Sequence, residues 1–218
     1  KNGNKMSKRL GNAVDPFGAI EKYGSDPLRW YMITNSSPWD NLKFDEEGVV
    51  EVTRKFFGTL HNTYKFFAPY ANLDGFHYGE AEIPVAERPE IDRWIISELN
   101  TLIKNVDACY ADYEPTRAGR LINDFVNDNL SNWYVRLCRK RFWGAGYTED
   151  KLAAYQTLYV CLETVAKLMA PIAPFYADKL YMDLVYTTGR DTVDSVHLAQ
   201  FPVCDDSLVD KELEMRME

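Results

Sequence analysis

The sequence EIDRWIISELNTLIKNVDACYADY, residues 90–113, decides the fold. Its apolar side chains recur at steps of three and four residues, which is the spacing of one face of an α-helix. The stripe keeps this spacing through about six turns and consists of Ile91, Ile95, Leu99, Leu102, Val106, Cys109 and Tyr113. A helix with one long apolar face has to bury it, so the flanking sequence must supply the covering elements.

On the N-terminal side, a second amphipathic helix is predicted from Asp45 to about Pro69. Asp45, Glu46 and Glu47 stand where they can cap and charge a helix N-terminus. The apolar stripe of this helix consists of Val49, Val52, Phe56, Leu60, Tyr64 and Phe67. A loop rich in glycine, proline and acidic residues then leads to residue 90.

On the C-terminal side, three more helices are predicted. The first occupies residues 115–143 and is stopped by Gly144. The next opens at Thr148, with two acidic residues in its first turn. Pro171 and the proline that follows it interrupt the pattern before a last helix over residues 175–186.

Strand signals are almost absent, and the best of them is residues 195–201. Long helices joined by short connections predict an all-α fold, a mostly antiparallel helical bundle. Residues 1–44 differ, because their glycines, asparagines and prolines favour loops and short helices. Asp26, before a proline, is predicted to cap a short helix over residues 28–35.

Three regions are therefore predicted. Residues 1–44 form a loop-rich segment, residues 45–188 form the helical bundle, and residues 189–218 form a C-terminal extension.

The composition is that of an ordinary packed protein, and it excludes disordered and collagen-like classes. The net charge of −8 has the wrong sign for a general nucleic-acid binder. Residues 117–143 depart from this average, since they carry six basic and two acidic side chains. Contact with a polyanion is therefore expected to be local.

No metal site is expected. The four cysteines are far apart and form no C-x-x-C pair, which favours buried free thiols in a reducing cytosol over a zinc site or disulfides. No apolar run approaches the ~18 to 20 residues that cross a bilayer.

Two stretches can carry chemistry. In residues 5–9, KMSKR, two lysines stand three residues apart in a polar loop and can close on a phosphate group, or they are simply solvated. In residues 131–143, SNWYVRLCRKRFW, helical spacing places Arg136, Arg139, Lys140 and Trp143 on one side. That face can hold a phosphate backbone and stack an unpaired base, or it is a solvated helix end with its tryptophans in the core.

Residues 5–12, KMSKRLGN, and residues 23–29, YGSDPLR, resemble the signature loop of class I aminoacyl-tRNA synthetases and the segment after it. Arg9 stands where that family usually has a second serine. In the family the loop closes over ATP, and its lysines stabilise the departing pyrophosphate. The resemblance therefore implies that Lys5 and Lys8 are catalytic and that Lys5, Met6, Ser7 and Lys8 bind ATP.

Residues 131–143 narrow the resemblance to the isoleucyl-tRNA synthetase family, whose anticodon-binding domain has a similar segment. Residues 90–97, 169–175 and 195–198 fit as well. The resemblance implies that tRNA is contacted by Trp133, Arg136, Arg139, Lys140, Arg141 and Trp143.

By this resemblance the chain is part of an ATP-dependent cytoplasmic ligase that joins isoleucine to its tRNA. Its partners are isoleucine tRNA and the catalytic and editing domains of the same enzyme. The H-I-G-H signature and an editing domain are absent from these residues, so the chain alone is expected to be inactive. ATP with magnesium is expected in the parent enzyme, and no cofactor is expected on this part.

Two other interpretations remain open. The chain could be a helical protein-interaction scaffold whose basic face meets an acidic partner, with the lysine loop as a linker. It could also be the same part of a valyl- or leucyl-tRNA synthetase.

Overall fold

The computed structural model describes residues 5–217, and within that range every regular element is helical. Residues 1–4 of the predicted N-terminal segment and the last residue of the C-terminal extension lie outside the described residues. The helices are α1 Pro16–Tyr23, α2 Ser25–Asn35, α3 over residues 46–74, α4 Glu90–Ala111, α5 over residues 115–143, α6 Glu149–Met169, α7 Pro174–Thr188 and α8 Lys211–Met217. The predicted all-α bundle is confirmed.

The helices begin where the sequence supplies capping oxygens. Asp15 accepts hydrogen bonds from the backbone N–H groups of Phe17 and Gly18, with a proline at the first position of α1. The Thr148 hydroxyl accepts from the backbone N–H of Lys151 and starts α6. The predicted start of this helix is therefore confirmed.

Two of the helices contain wide, π-type turns. In α3 they occupy Thr53–Phe57, between Glu46–Val52 and Gly58–Asp74. In α5 they occupy Phe125–Val135, between Pro115–Asp124 and Arg136–Trp143. Turns of this type are rare and usually single, so eleven consecutive residues of them are an unusual feature.

The core is built by α3 to α7. Helices α4 and α5 pack together, as do α6 and α7, because each pair is joined by a connection of only a few residues. Fully buried side chains fill the space between the helices; they include Phe56, Leu60, Ile95, Leu99, Ile122, Leu130, Phe142, Leu158, Leu162 and Val165. Apolar burial of this kind is the main stabilising term of the fold.

Helix α2 is held against this core by stacking and by a close backbone approach. Trp30 lies flat on Phe56, with ring centroids 4.1 Å apart. A Cβ at Gly119 would stand 2.6 Å from Cγ2 of Thr34, so only glycine lets α5 approach α2 at this distance. The three-region division stays a prediction, but α2 shares the core of the bundle.

Three predictions about local structure were wrong. Helix α3 continues past Pro69 to Asp74, because buried Phe67 and Ala71 on either side hold it in the core. The predicted apolar stripe of α4 runs too far, because Tyr113 lies past the end of the helix and is 86% exposed. The weak strand signal of residues 195–201 corresponds to a 3-10 turn at Val196–Leu198. Asp26 does not cap its own helix.

Asp26 instead caps α7, which is far away in the sequence. Its carboxylate accepts a 2.6 Å hydrogen bond from the backbone N–H of Tyr176, in the first turn of α7. The residue at the start of that helix, Ala173, has no side-chain oxygen to offer. Arg29, one turn further along α2, donates to the backbone carbonyl of Ile172. These two contacts fasten α2 to the corner between α6 and α7.

Candidate nucleic-acid interface

The last two turns of α5 carry the predicted basic face. Arg136, Arg139 and Lys140 are exposed, and none has a carboxylate within 4.0 Å among residues 5–217. Cys138 and Phe142, on the opposite side, are buried. The three cations are therefore free to meet an anion from outside the chain.

Two tryptophans flank these cations at the surface. Trp143 is 55% exposed, and Trp133 is 41% exposed with its edge against the buried ring of Trp94, 6.3 Å between centroids. The interpretation that placed the tryptophans in the core is wrong for both. Exposed aromatic rings next to cations suit the stacking of unpaired bases.

Arg141 has a different environment from its neighbours. Its guanidinium forms a two-pronged ion pair with Asp92, with N–O distances of 2.6 and 2.8 Å, and a further pair with Asp150. Asp92 is fully buried and also accepts a hydrogen bond from the hydroxyl of Tyr134. Burial, with the carboxylate beside it, raises the pKa of Tyr134, so the phenol keeps its proton and donates. Arg141 is thus committed to the fold and is not available to a ligand.

The lysine loop, residues 5–12, is mostly exposed, and hydrogen bonds between its last residue and its first residues hold its shape. The side chain of Asn12 accepts from the backbone N–H of Ser7 and donates to the backbone carbonyl of Lys5. Lys8 begins a short 3-10 turn that Gly11 ends at φ 63°, the left-handed region. Both lysines are exposed and Ser7 is half-buried. The loop therefore presents two cations to the solvent, as phosphate binding requires.

The structure reveals a polar groove that the sequence reasoning missed. It lies between α2, α3 and α5, has a volume of about 350 Å³, and is lined by Asn35, Lys55, Arg120, Asn123 and Asn127 among others. The signal was the set of polar side chains at three- and four-residue steps from Arg120 to Asn127.

Other kinds of site find no support in the part of the chain that is described. No three His, Cys, Asp or Glu side chains come together there as metal ligands. Three of the four cysteines are buried thiols, and burial raises the pKa of Cys138 to about 11. No helix within residues 5–217 has the length and apolar character of a membrane span.

Comparisons with known proteins agree with this geometry. The family described as "Anticodon-binding domain of tRNA ligase" matches residues 92–218, and the family "tRNA synthetases class I (I, L, M and V)" matches residues 1–45. The isoleucine–tRNA ligase of Bacteroides fragilis (strain ATCC 25285) is 77% identical over all 218 residues, which cover 19% of that protein. The isoleucine–tRNA ligase of Porphyromonas gingivalis is 72% identical with the same coverage.

A solved structure shares the fold. It is the LeuRS agnB2 of Agrobacterium radiobacter K84 in a ternary complex with tRNA and LeuAMS. The match has a TM-score of 0.70 at 21% identity and covers 95% of this chain and 23% of that one. The chain spans about a fifth of the length of its curated relatives. Because the anticodon-binding family matches more than half of its residues, the chain belongs to the anticodon-binding domain family of tRNA ligases.

Proposed function

We propose that the chain is the part of an isoleucine–tRNA ligase that docks the anticodon stem and loop of isoleucine tRNA. The observation that carries the proposal is the unpaired basic face of α5, with Arg136, Arg139 and Lys140 exposed next to Trp143. We name these four residues, together with Trp133, the basic stripe. The cations would hold loop phosphates while the rings stack on unpaired bases. Arg141 takes no part, because its guanidinium is occupied by Asp92.

Salt dependence tests this role. A variant with Arg136, Arg139 and Lys140 all replaced by alanine should bind isoleucine tRNA more weakly. The slope of log K against log[salt] should fall by roughly 2 to 3, since each lost phosphate contact removes about 0.7 to 0.9. The matched control replaces three exposed cations elsewhere, Lys104, Lys179 and Arg216. The control loses the same charge and should keep the slope.

The scaffold interpretation gives the opposite result. If the basic stripe serves an acidic partner protein, the triple variant binds tRNA with an unaltered slope, and the proposed function fails. A titration with valine and leucine tRNA beside isoleucine tRNA separates the three ligases, because only the matching tRNA should bind tightly.

The lysine loop would serve the activation step of the same ligase. Lys5 and Lys8 would stabilise the charge that develops on pyrophosphate as the amino acid attacks ATP, with Met6 and Ser7 lining the nucleotide. Magnesium would arrive with ATP, since residues 5–217 hold no cluster of metal ligands. The rest of the ATP site, the amino-acid pocket and editing would come from other parts of the ligase, which would work in the cytoplasm.

Exchange of pyrophosphate into ATP measures that step. In the full-length ligase, Lys8→Ala should lower the exchange rate about 10²- to 10³-fold, as loss of one transition-state donor does. Binding of tRNA should hardly change, because the loop is separate from the basic stripe in the sequence. Unchanged exchange would show that Lys8 has no part in activation.

A further inference from the structure

The two ends of α5 bury residues that a uniform α-helix would place on opposite sides. Ile122 and Phe142 are both 0% exposed. They are twenty residues apart, and at about 100° per residue they would point roughly 200° away from each other. Both nevertheless point into the same core, so the helix must lose about half a turn between them.

The wide turns of Phe125–Val135 account for this difference. A helix bonded from residue i to i+5 has about 4.4 residues per turn, or roughly 82° per residue. Eleven such residues lag behind an α-helix by roughly half a turn. The buried residues are thereby brought to one side, and the exposed residues must form one continuous face as well.

This register aligns the polar groove with the basic stripe. Nine residues separate Asn127 from Arg136, and at about 82° each they complete two turns, so the two side chains leave α5 in nearly the same direction. Asn123 is aligned with Asn127 by the same arithmetic. Asn127 and Arg136 are thus about two turns apart along the helix. The acidic residues Asp124 and Asp128 lie about a quarter turn away.

Most side chains that line the groove are polar, and one of them, an amide, has no partner among the described residues. Arg120 donates to the backbone carbonyls of Thr34 and Asn35. Glu51 also lines the groove, and Lys55 on the same wall neutralises its carboxylate through an ion pair. The side chain of Asn127 is half-buried and has no hydrogen bond to any residue in 5–217. An amide offers a donor and an acceptor and carries no charge, so this position suits a hydroxyl group better than a phosphate.

We propose that the groove binds the double-stranded stem next to the loop, with Asn127 contacting a ribose 2′-hydroxyl. The inference rests on the proposed function and adds a second kind of contact to it. An A-form RNA stem shows its 2′-hydroxyls along a wide, shallow minor groove, and a 2′-hydroxyl both donates and accepts. The amide of Asn123 already donates a 3.3 Å hydrogen bond to the carboxylate of Asp124, so the open amide of Asn127 would make the contact. The stem would enter on the side of α5 that carries these two amides, and its loop would reach the basic stripe.

A double-mutant cycle tests the contact. The probes are isoleucine tRNA and the same tRNA with 2′-deoxyriboses in the anticodon stem, and affinities are measured by fluorescence anisotropy at one salt concentration. Asn127→Ala should weaken binding of the unmodified tRNA about 2- to 12-fold, the range of one hydrogen bond, without changing the salt slope. The deoxy stem should weaken binding by the wild-type chain similarly. If both changes remove the same hydrogen bond, Asn127→Ala measured with the deoxy stem should weaken binding no more than either change alone.

A control and a second variant guard against loss of structure. Asn105→Ala removes an exposed amide of α4 outside the groove and should change neither affinity nor melting temperature. Asn127→Ser keeps a donor and an acceptor at the same position and should recover part of the affinity. Melting curves followed by circular dichroism check that both groove variants fold.

The outcomes separate this inference from the proposed function. If the deoxy stem binds as tightly as the ribose stem, or if its loss adds fully to that of Asn127→Ala, the groove does not read ribose and the inference is overturned. The triple variant of the basic stripe would still lose affinity in that case. If the triple variant binds unchanged as well, the proposed function fails with it.

Discussion

Two neighbouring cations on α5 should respond in opposite ways to the same substitution. Arg141→Ala should destabilise the fold strongly and leave the salt dependence of tRNA binding unchanged. Lys140→Ala should leave the fold unchanged and lower the salt slope. The reason is that Arg141 is bound to buried Asp92, whereas Lys140 is exposed and has no ion pair among residues 5–217.

The size of the effect follows from the burial of the pair. Asp92 is 0% exposed, and the Arg141 side chain is 15% exposed. Removing one partner of such a pair leaves an uncompensated buried charge and costs about 3 to 5 kcal/mol. The second ion pair, with half-exposed Asp150, adds at most about 1 kcal/mol. For a chain of this size the loss corresponds to a melting temperature lower by roughly 6 to 20 °C. Lys140→Ala should stay within about 0.5 kcal/mol.

Urea unfolding followed by circular dichroism gives the stability of both variants, and tRNA titrations at two salt concentrations give the slopes. The double variant Asp92→Asn/Arg141→Ala should recover part of the loss, because the orphaned charge is then gone. If Arg141→Ala is no less stable than Lys140→Ala, or if it lowers the salt slope as much, the assignment of Arg141 to the fold is refuted.

Three further changes have defined outcomes. Trp143→Ala should cost about 1 to 3 kcal/mol of tRNA binding with no change in salt slope or melting temperature, since the ring is exposed; a drop in melting temperature would place it in the core. Gly119→Ala should cost about 1 to 3 kcal/mol of unfolding free energy, because its Cβ would meet Thr34. Gly189→Ala has free space around its Cβ and should cost only the left-handed backbone strain of about 1 kcal/mol. Equal losses of unfolding free energy in urea titrations would contradict this difference. Burial works against ionisation of Glu214, but hydrogen bonds from three neighbouring side chains outweigh it and lower its pKa. The stability that this carboxylate provides should therefore be present above the ordinary glutamate range of about 4.3 and be lost as the pH falls through the lowered pKa, and Glu214→Gln should flatten that part of a stability profile taken between about pH 6 and pH 3.

The helices could be predicted because their apolar periods are local. The stripe from Ile91 to Cys109 and the cap at Thr148 need no knowledge of distant residues, and both agree with the structure. Only Tyr113, the last predicted member of the stripe, does not, since it lies past the end of α4 and is exposed. Helix α3 runs past Pro69 because packing outweighs the lost hydrogen bond, and a local pattern cannot weigh that. The role of Asp26 was hidden for the same reason, since its partner Tyr176 is 150 residues away.

For the site, the sequence predicted only which side chains a regular helix would expose. The period of residues 133–143 identified which side chains leave the bundle, and Arg136, Arg139 and Lys140 are exposed as expected. It could not show that Arg141 faces Asp92, 49 residues earlier. The sequence showed the wide turns only indirectly. On a uniform α-helix, the apolar residues before the wide turns and those after them would point to different sides. That mismatch could have revealed that the groove and the basic stripe lie on one side of α5.

The contact by which Asp26 of α2 caps α7 limits the order in which the chain can fold during its synthesis. Asp26 leaves the ribosome about 150 residues before the backbone N–H of Tyr176 that it caps. At roughly 5 to 20 residues per second, that interval is about 8 to 30 s. During this time the carboxylate of Asp26 is hydrated and α2 has no corner to fasten to. Stacking on Phe56 can place α2 early, but its fastening to the corner between α6 and α7 can form only after the start of α7 has been synthesised.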